Sequence, residues 1–169
     1  MARIVLILGG ARSGKSARAL ALAPDPHVFI ATAEALDAEM ADRIRLHKDE
    51  RGADWGLIEA PLDLPDAIAD AAASGTTLVI DCLTLWLSNI MHHERDIDAS
   101  TEALIAALKM APGTIVLVSN EIGLGLAPMN ALSRRFRDAQ GRLNQQVAAA
   151  ADKVEFVAAG LPLILKGQA

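Results

Sequence analysis

Gly9-Gly10-Ala11-Arg12-Ser13-Gly14-Lys15-Ser16 is the stretch of this chain whose residue types and spacing most directly imply chemistry. Glycines let a backbone wrap closely around an anion. Successive N–H groups running into a helix form a concave site for phosphate oxygens. Lys15 would place a point charge at the β and γ phosphates of a nucleoside triphosphate, and Ser16 would offer a hydroxyl to Mg²⁺. The run matches G-x-x-x-x-G-K-S without deviation, and an apolar strand before it and a helical pattern after it supply the context in which the motif binds.

A second stretch, Thr77-Leu78-Val79-Ile80-Asp81, reads as an apolar strand ending in an acid, like a Walker B element. Asp81 would hold Mg²⁺ directly or through water; the alternative is an ordinary Asp at a strand end. Cys82 reads as a small buried residue rather than a nucleophile. His92 and His93 are neighbours, so on a helix they diverge by about 100° and make a poor chelate. His27 opens a strand, and no Cys/His cluster has zinc spacing.

The elements that must position these groups alternate short apolar runs with longer helical patterns, as parallel βα units do. Strands are predicted at Ile4–Leu8, Val28–Ala31, Leu78–Asp81 and Ile115–Ser119, with a shorter one at Trp55–Glu59. Val154–Ala158 and Leu163–Leu165 read as a late pair joined through Gly160 and Pro162, where an antiparallel edge strand fits. Unbroken apolar runs are how strands buried on both faces read. Helices are predicted at Lys15–Leu22, Ala38–Lys48, Leu64–Ala73, Thr101–Leu108 and Ser133–Ala151, with Ser100 as an N-cap. The fold class is therefore α/β: a P-loop NTPase-like, mostly parallel sheet with helices on both faces. No linker divides the chain, so one nucleotide-binding domain over residues 1–169 is expected.

Composition narrows the function. Aromatics are 3% with no Tyr, which argues against stacking on single-stranded nucleic acid. A formal net charge of -5 argues against broad phosphate-backbone binding. No nucleic-acid partner is expected. Cys82 is the single cysteine, so an internal disulfide is excluded and a reducing compartment is the simpler setting. No stretch approaches the roughly 20 apolar residues that span a bilayer. A cytoplasmic enzyme is the expectation.

Three further segments carry a resemblance. They are Ala31-Thr32-Ala33; Arg43-Ile44-Arg45-Leu46-His47-Lys48-Asp49-Glu50-Arg51 with Trp55 and Glu59; and Val118-Ser119-Asn120-Glu121-Ile122-Gly123-Leu124-Gly125, running through Pro128 to Arg135-Phe136-Arg137-Asp138 and Gly141-Arg142-Leu143-Asn144-Gln145. With Gly9–Ser16 and Asp81–Thr84, these resemble the bifunctional adenosylcobinamide kinase / adenosylcobinamide-phosphate guanylyltransferase family, from about Ile4 to Lys166. The resemblance implies two reactions. Adenosylcobinamide is phosphorylated with ATP or GTP. GMP from GTP is then moved onto that phosphate through a GMP-histidine intermediate, giving adenosylcobinamide-GDP and pyrophosphate. It also implies a homotrimer.

The histidine that matches is His47. A neutral imidazole nitrogen is a good nucleophile near pH 7. Arg43, His47 and Arg51 lie at i, i+4 and i+8, on one face of a helix. Lys48 and Arg51 are implied to join the nucleotide site with Ala31, Thr32, Ala33, Glu59 and Asp81. A carboxylate suits the N1–H and N2 donors of guanine; Glu59 and Asp81 both remain open for that role. Arg134, Arg135 and Arg137 read equally as phosphate holders or as surface charges. Two other functions compete: a monofunctional P-loop kinase with His47 a bystander, and a nucleotide-dependent switch.

Overall fold

In the computed structural model, which describes residues 2–34 and 56–168, the apolar runs become strands: β1 (Arg3–Gly9), β2 (His27–Ala31), β3 (Gly56–Glu59), β4 (Thr77–Asp81), β5 (Thr114–Asn120), β6 (Lys153–Ala158) and β7 (Leu161–Lys166). They form one sheet in the order β3-β2-β4-β5-β1-β6-β7. Every neighbouring pair is parallel except β6 with β7, which is antiparallel. The first strand is therefore interior, flanked by β5 and β6.

The described helices are α1 (Lys15–Ala21), α2 (Leu64–Ala71), α3 (Leu83–His92), α4 (Ile97–Met110) and α5 (Ala131–Ala150). Strand side chains alternate between faces. Leu6, Ile80, Ile115 and Leu117 point into a core shared with Ile68 of α2, Trp86 and Leu87 of α3, Leu104 of α4 and Leu143 of α5. Val5, Ile7, Val79, Val116 and Val118 point the other way, against Ala19 of α1. Helices thus cover both faces, as expected. Leu6 and Ile7, adjacent in sequence and facing opposite cores, are both fully buried.

The structure departs from the sequence reading in particular places. Helix α3 was not anticipated. It follows β4 after one residue and buries Leu83, Thr84, Trp86, Leu87, Asn89 and Ile90. Buried on most sides, it shows little amphipathic contrast and merges with the strand into one apolar stretch. Helix α4 begins earlier than Thr101, because the cap is Asp96, whose carboxylate accepts the Ala99 N–H at 2.9 Å. Ser100 is inside the helix, its hydroxyl donating to the Asp96 carbonyl at 2.6 Å. The last turn runs through Ala159 and Gly160, both at positive φ. Pro162 sits within β7 opposite Val157, where an edge strand tolerates a missing donor. Every residue of β7 is exposed. The helix predicted at Ala38–Lys48 lies outside the described residues, as does Trp55.

Candidate active site

The phosphate loop joins β1 to α1 at the carboxyl edge of the sheet. Its glycines meet specific close approaches. A Cβ on Gly9 would stand 2.5 Å from the Val157 carbonyl oxygen and 2.6 Å from Ser13 Oγ. Gly14 has φ +98°, and a Cβ there would lie 3.1 Å from Gly160 Cα. The Gly160 N–H donates to the Ser13 carbonyl at 2.8 Å. The β6–β7 turn therefore buttresses the loop from behind. Arg12, at φ 54°, completes the turn. Ser13 Oγ is buried with no hydrogen-bond partner among the described residues, a donor that a phosphate oxygen would satisfy.

Lys15 is buried, and its ammonium donates to the Gly10 carbonyl at 2.6 Å. Burial lowers its pKa below the ordinary lysine value, opposed by nearby negative charge including Asp81. The next residue, Ser16, donates from Oγ to Asp81 Oδ2 at 3.2 Å. Two hard oxygen donors side by side at the mouth of a phosphate loop suit Mg²⁺, which takes few protein ligands and completes its shell with phosphates and water. These residues fit that ion.

Beneath this pair the sheet end is latched. The Thr32 hydroxyl donates to the Cys82 carbonyl at 2.7 Å and accepts the Cys82 N–H at 2.9 Å. Asn89 Nδ2 donates to the Thr32 carbonyl at 2.7 Å and to Pro61 O at 3.0 Å. Thr32 is fully buried. Its hydroxyl is thus spent inside the sheet end, fixing the residue after Asp81. Burial, then the Asp81 charge, push the Cys82 thiol up to about 11. A neutral buried thiol is inert, as the sequence suggested.

On the other side of β1's partner strand a second buried network forms. Ser119 Oγ donates to Asn144 Oδ1 at 2.7 Å, and Gln140 Nε2 donates to Ser119 Oγ and Asn144 Oδ1. Asn144 Nδ2 reaches the Asn120 carbonyl at 3.0 Å, while the Asn120 N–H donates to Thr84 Oγ1 at 2.9 Å. Asn89 and Gln140 were missed in the sequence. The available signal was an amide in the midst of apolar helix positions.

The cradle is also anchored through α1. Arg18 makes two hydrogen bonds to Glu155 of β6, at 2.7 and 2.9 Å, and Lys153 adds a contact at 3.1 Å. The Arg18 bond holds the Glu155 carboxyl below the usual glutamate range. A depressed carboxylate contributes stability above its unfolded value and loses it as pH falls through the folded one.

Of the predicted site residues, the structure brings together Gly9, Gly10, Ala11, Arg12, Ser13, Gly14, Lys15, Ser16 and Asp81 around one loop. Ala31 and Glu59 continue the same edge, because Glu59 pairs with Ala31 and Ala31 with Asp81. Ala33 is half-buried beside them. His47, Lys48 and Arg51 lie outside the described residues. Arg134 donates to the Pro128 and Met129 carbonyls, and Arg137 pairs with Asp138.

A mostly parallel sheet with an interior strand feeding Gly9–Ser16, and an acid on the second strand over, defines a P-loop nucleotide-binding protein. The chain belongs to the cobinamide kinase / cobinamide phosphate guanyltransferase family, whose model matches residues 5–165. It is similar to the bifunctional adenosylcobalamin biosynthesis protein CobP of Pseudomonas aeruginosa, 46% identical over 168 residues covering 96% of this chain and 97% of that one. It is also similar to CobU of Salmonella typhimurium, at 41% over 180 residues, 96% and 99%. Solved structures share the fold: the flagellar accessory protein FlaH of Methanocaldococcus jannaschii (TM-score 0.53, 14% identical, 98% of this chain and 79% of that one). So does the P4 protein of bacteriophage phi6 in complex with ADP (TM-score 0.52, 18% identical, 94% and 52%). No described helix is long and apolar enough to cross a membrane.

Proposed function

We propose that this chain phosphorylates adenosylcobinamide with ATP or GTP, and then transfers GMP from GTP to adenosylcobinamide phosphate. His47 carries the GMP between the two, and adenosylcobinamide-GDP and pyrophosphate are the products. The observation that carries the reading is the Lys15–Ser16–Asp81 arrangement, in a chain whose family is named for both activities. Lys15 would leave the Gly10 carbonyl to bind the β and γ phosphates. Ser16 and Asp81 would hold Mg²⁺, which neutralises phosphate charge when bound.

The row Glu59–Ala31–Asp81 supports a division of labour between the acids. Strand neighbours are roughly 4.8 Å apart, so Glu59 stands about 10 Å from Asp81 across the edge. That separation suits a nucleotide with its phosphates at Asp81 and its base at Glu59. Guanine would offer its N1–H and N2 donors to Glu59, donors that adenine lacks. The family description, which names a guanyltransferase beside the kinase, favours this reading over a monofunctional kinase. One domain, a cytoplasmic setting and a homotrimer complete the reading.

The test is covalent labelling. With α-labelled GTP and Mg²⁺, one GMP should bind the protein through nitrogen, in an acid-labile, base-stable bond. His47→Ala should abolish labelling and GMP transfer while leaving phosphorylation of the acceptor alcohol. Labelling that survives His47→Ala, or that resists acid, overturns the assignment.

A further inference from the structure

The segment Ser119-Asn120-Glu121 is used neither by the phosphate cradle nor by the metal pair, yet the fold commits a buried network to aiming it. We propose that Glu121 is the catalytic base of the phosphorylation step, resting on the function proposed above. Its carboxylate takes the proton of the acceptor's hydroxyl while that oxygen attacks the γ-phosphorus.

Position comes first. Gly9 pairs with Asn120 across β1 and β5. The Glu121 N–H then donates to the Gly9 carbonyl at 3.0 Å. The neighbouring carbonyl, Gly10, is the one that holds the Lys15 ammonium, at 2.6 Å. Lys15 marks the β and γ phosphates, so Glu121 leaves the sheet at the reacting end of the nucleotide rather than at its base.

Direction comes second. Asn120 is held on its N–H by Thr84 and on its carbonyl by Asn144. Asn144 is itself fixed by the fully buried Ser119 and Gln140. Four side-chain hydrogen bonds link Ser119, Gln140, Asn144 and the Asn120 carbonyl, and such a buried network rigidifies what it holds: here, the backbone on which Glu121 stands.

Availability comes third. Glu121 Oε1 accepts the Gly123 N–H at 2.6 Å, which orients the carboxylate and leaves its other oxygen for a proton. A Cβ on Gly123 would come within 2.9 Å of that same Oε1, so the glycine preserves the room. Glu121 is half-buried as a residue, its hydrogen bond to Gly123 is exposed, and it joins no ion pair among the described residues. Two other carboxylates are committed: Asp81 to Ser16, and Glu155 to Arg18 and Lys153; Glu59 stands two strands further along the edge from Asp81.

The step balances without a further reactant. The hydroxyl O–H breaks and its proton passes to the carboxylate. The oxygen forms a bond to the γ-phosphorus as the bond to the β–γ bridging oxygen breaks, and the nucleoside diphosphate leaves. The carboxylic acid then returns its proton to water. GMP transfer starts from a phosphate acceptor already deprotonated and needs no such base.

Glu121→Gln keeps shape and removes basicity. In the full chain, the phosphorylation kcat should fall by about 10²–10⁴-fold, the range for a positioned general base. KM for the nucleotide should hold, and the acidic limb of the kcat–pH profile should disappear. Glu121→Asp should recover part of the rate and the limb. GMP labelling and transfer to a pre-formed phosphate acceptor, run on the same preparation, should match wild type. An undiminished phosphorylation rate in Glu121→Gln, or equal loss of both reactions, overturns the role of Glu121. Absence of phosphorylation in the wild type overturns the function proposed above instead.

Discussion

Thr32 and Met129 both belong to segments that leave the carboxyl edge of the sheet, and their environments are opposite. Thr32 is fully buried, with its hydroxyl in two hydrogen bonds to Cys82. Met129 is 98% exposed, as is Leu126, and Leu124 and Leu132 stand out beside them. The first region holds its groups fixed before any nucleotide arrives. The second presents aliphatic side chains on a segment tied down through backbone, by Arg134 to the Pro128 and Met129 carbonyls. Preorganised donors are what phosphate chemistry rewards. Exposed apolar groups on a segment continuous with Glu121 are what a large acceptor would cover.

The contrast breaks most visibly at Lys15. Lys15→Ala should reduce phosphorylation and GMP transfer together, each by about 10²–10³-fold, the cost of removing one preorganised charge-stabilising donor. Paired assays on one preparation check this; full retention of either activity would reveal a second nucleotide site. Thr32→Val should cost about 1–3 kcal/mol in denaturant unfolding, because the Cys82 N–H and C=O lose their partner. It should also raise the Mg²⁺ concentration needed for half-maximal phosphorylation, by loosening the strand end that carries Asp81, and Thr32→Ser should restore both. Stability loss with an unchanged Mg²⁺ requirement would make Thr32 a packing residue only. At the other extreme, Leu126→Ser combined with Met129→Ser should change stability by less than about 0.5 kcal/mol. KM for the acceptor should rise while KM for the nucleotide holds. Unchanged acceptor KM would remove this segment from acceptor binding.

The phosphate loop was legible because its chemistry is written in consecutive residues, Gly9 to Ser16, between a strand and a helix of the right kind. Asp81 was legible for the same local reason. The sheet's parallel character showed in its unbroken apolar runs. What stayed hidden depends on residues far apart in sequence. The Thr32–Cys82–Asn89 latch joins positions that only the β2–β4 pairing and α3 bring together. Helix α3 was masked by burial on most of its circumference, which erases the period that sequence patterns reveal. Ser100 is the cap read from the sequence; Asp96 obeys the same local rule, and the Ala99 hydrogen bond makes Asp96 the cap. Arg134 is an exposed charge, as one of its two sequence readings has it, and its guanidinium also ties the loop before α5.

The placement of β1 between β5 and β6 has a consequence for how the protein is made. The phosphate loop leaves the ribosome before the strands that support it are synthesised. β1 gains one neighbour only with residues 114–120 and the other with residues 153–158. The Gly160 N–H that braces Ser13 follows later still. Contacts spanning so much of the chain carry a loop-closure cost that is met only when the distant partner exists. A nascent chain stalled before residue 150 therefore holds the whole nucleotide signature in sequence but lacks the β6 neighbour and the Gly160 brace.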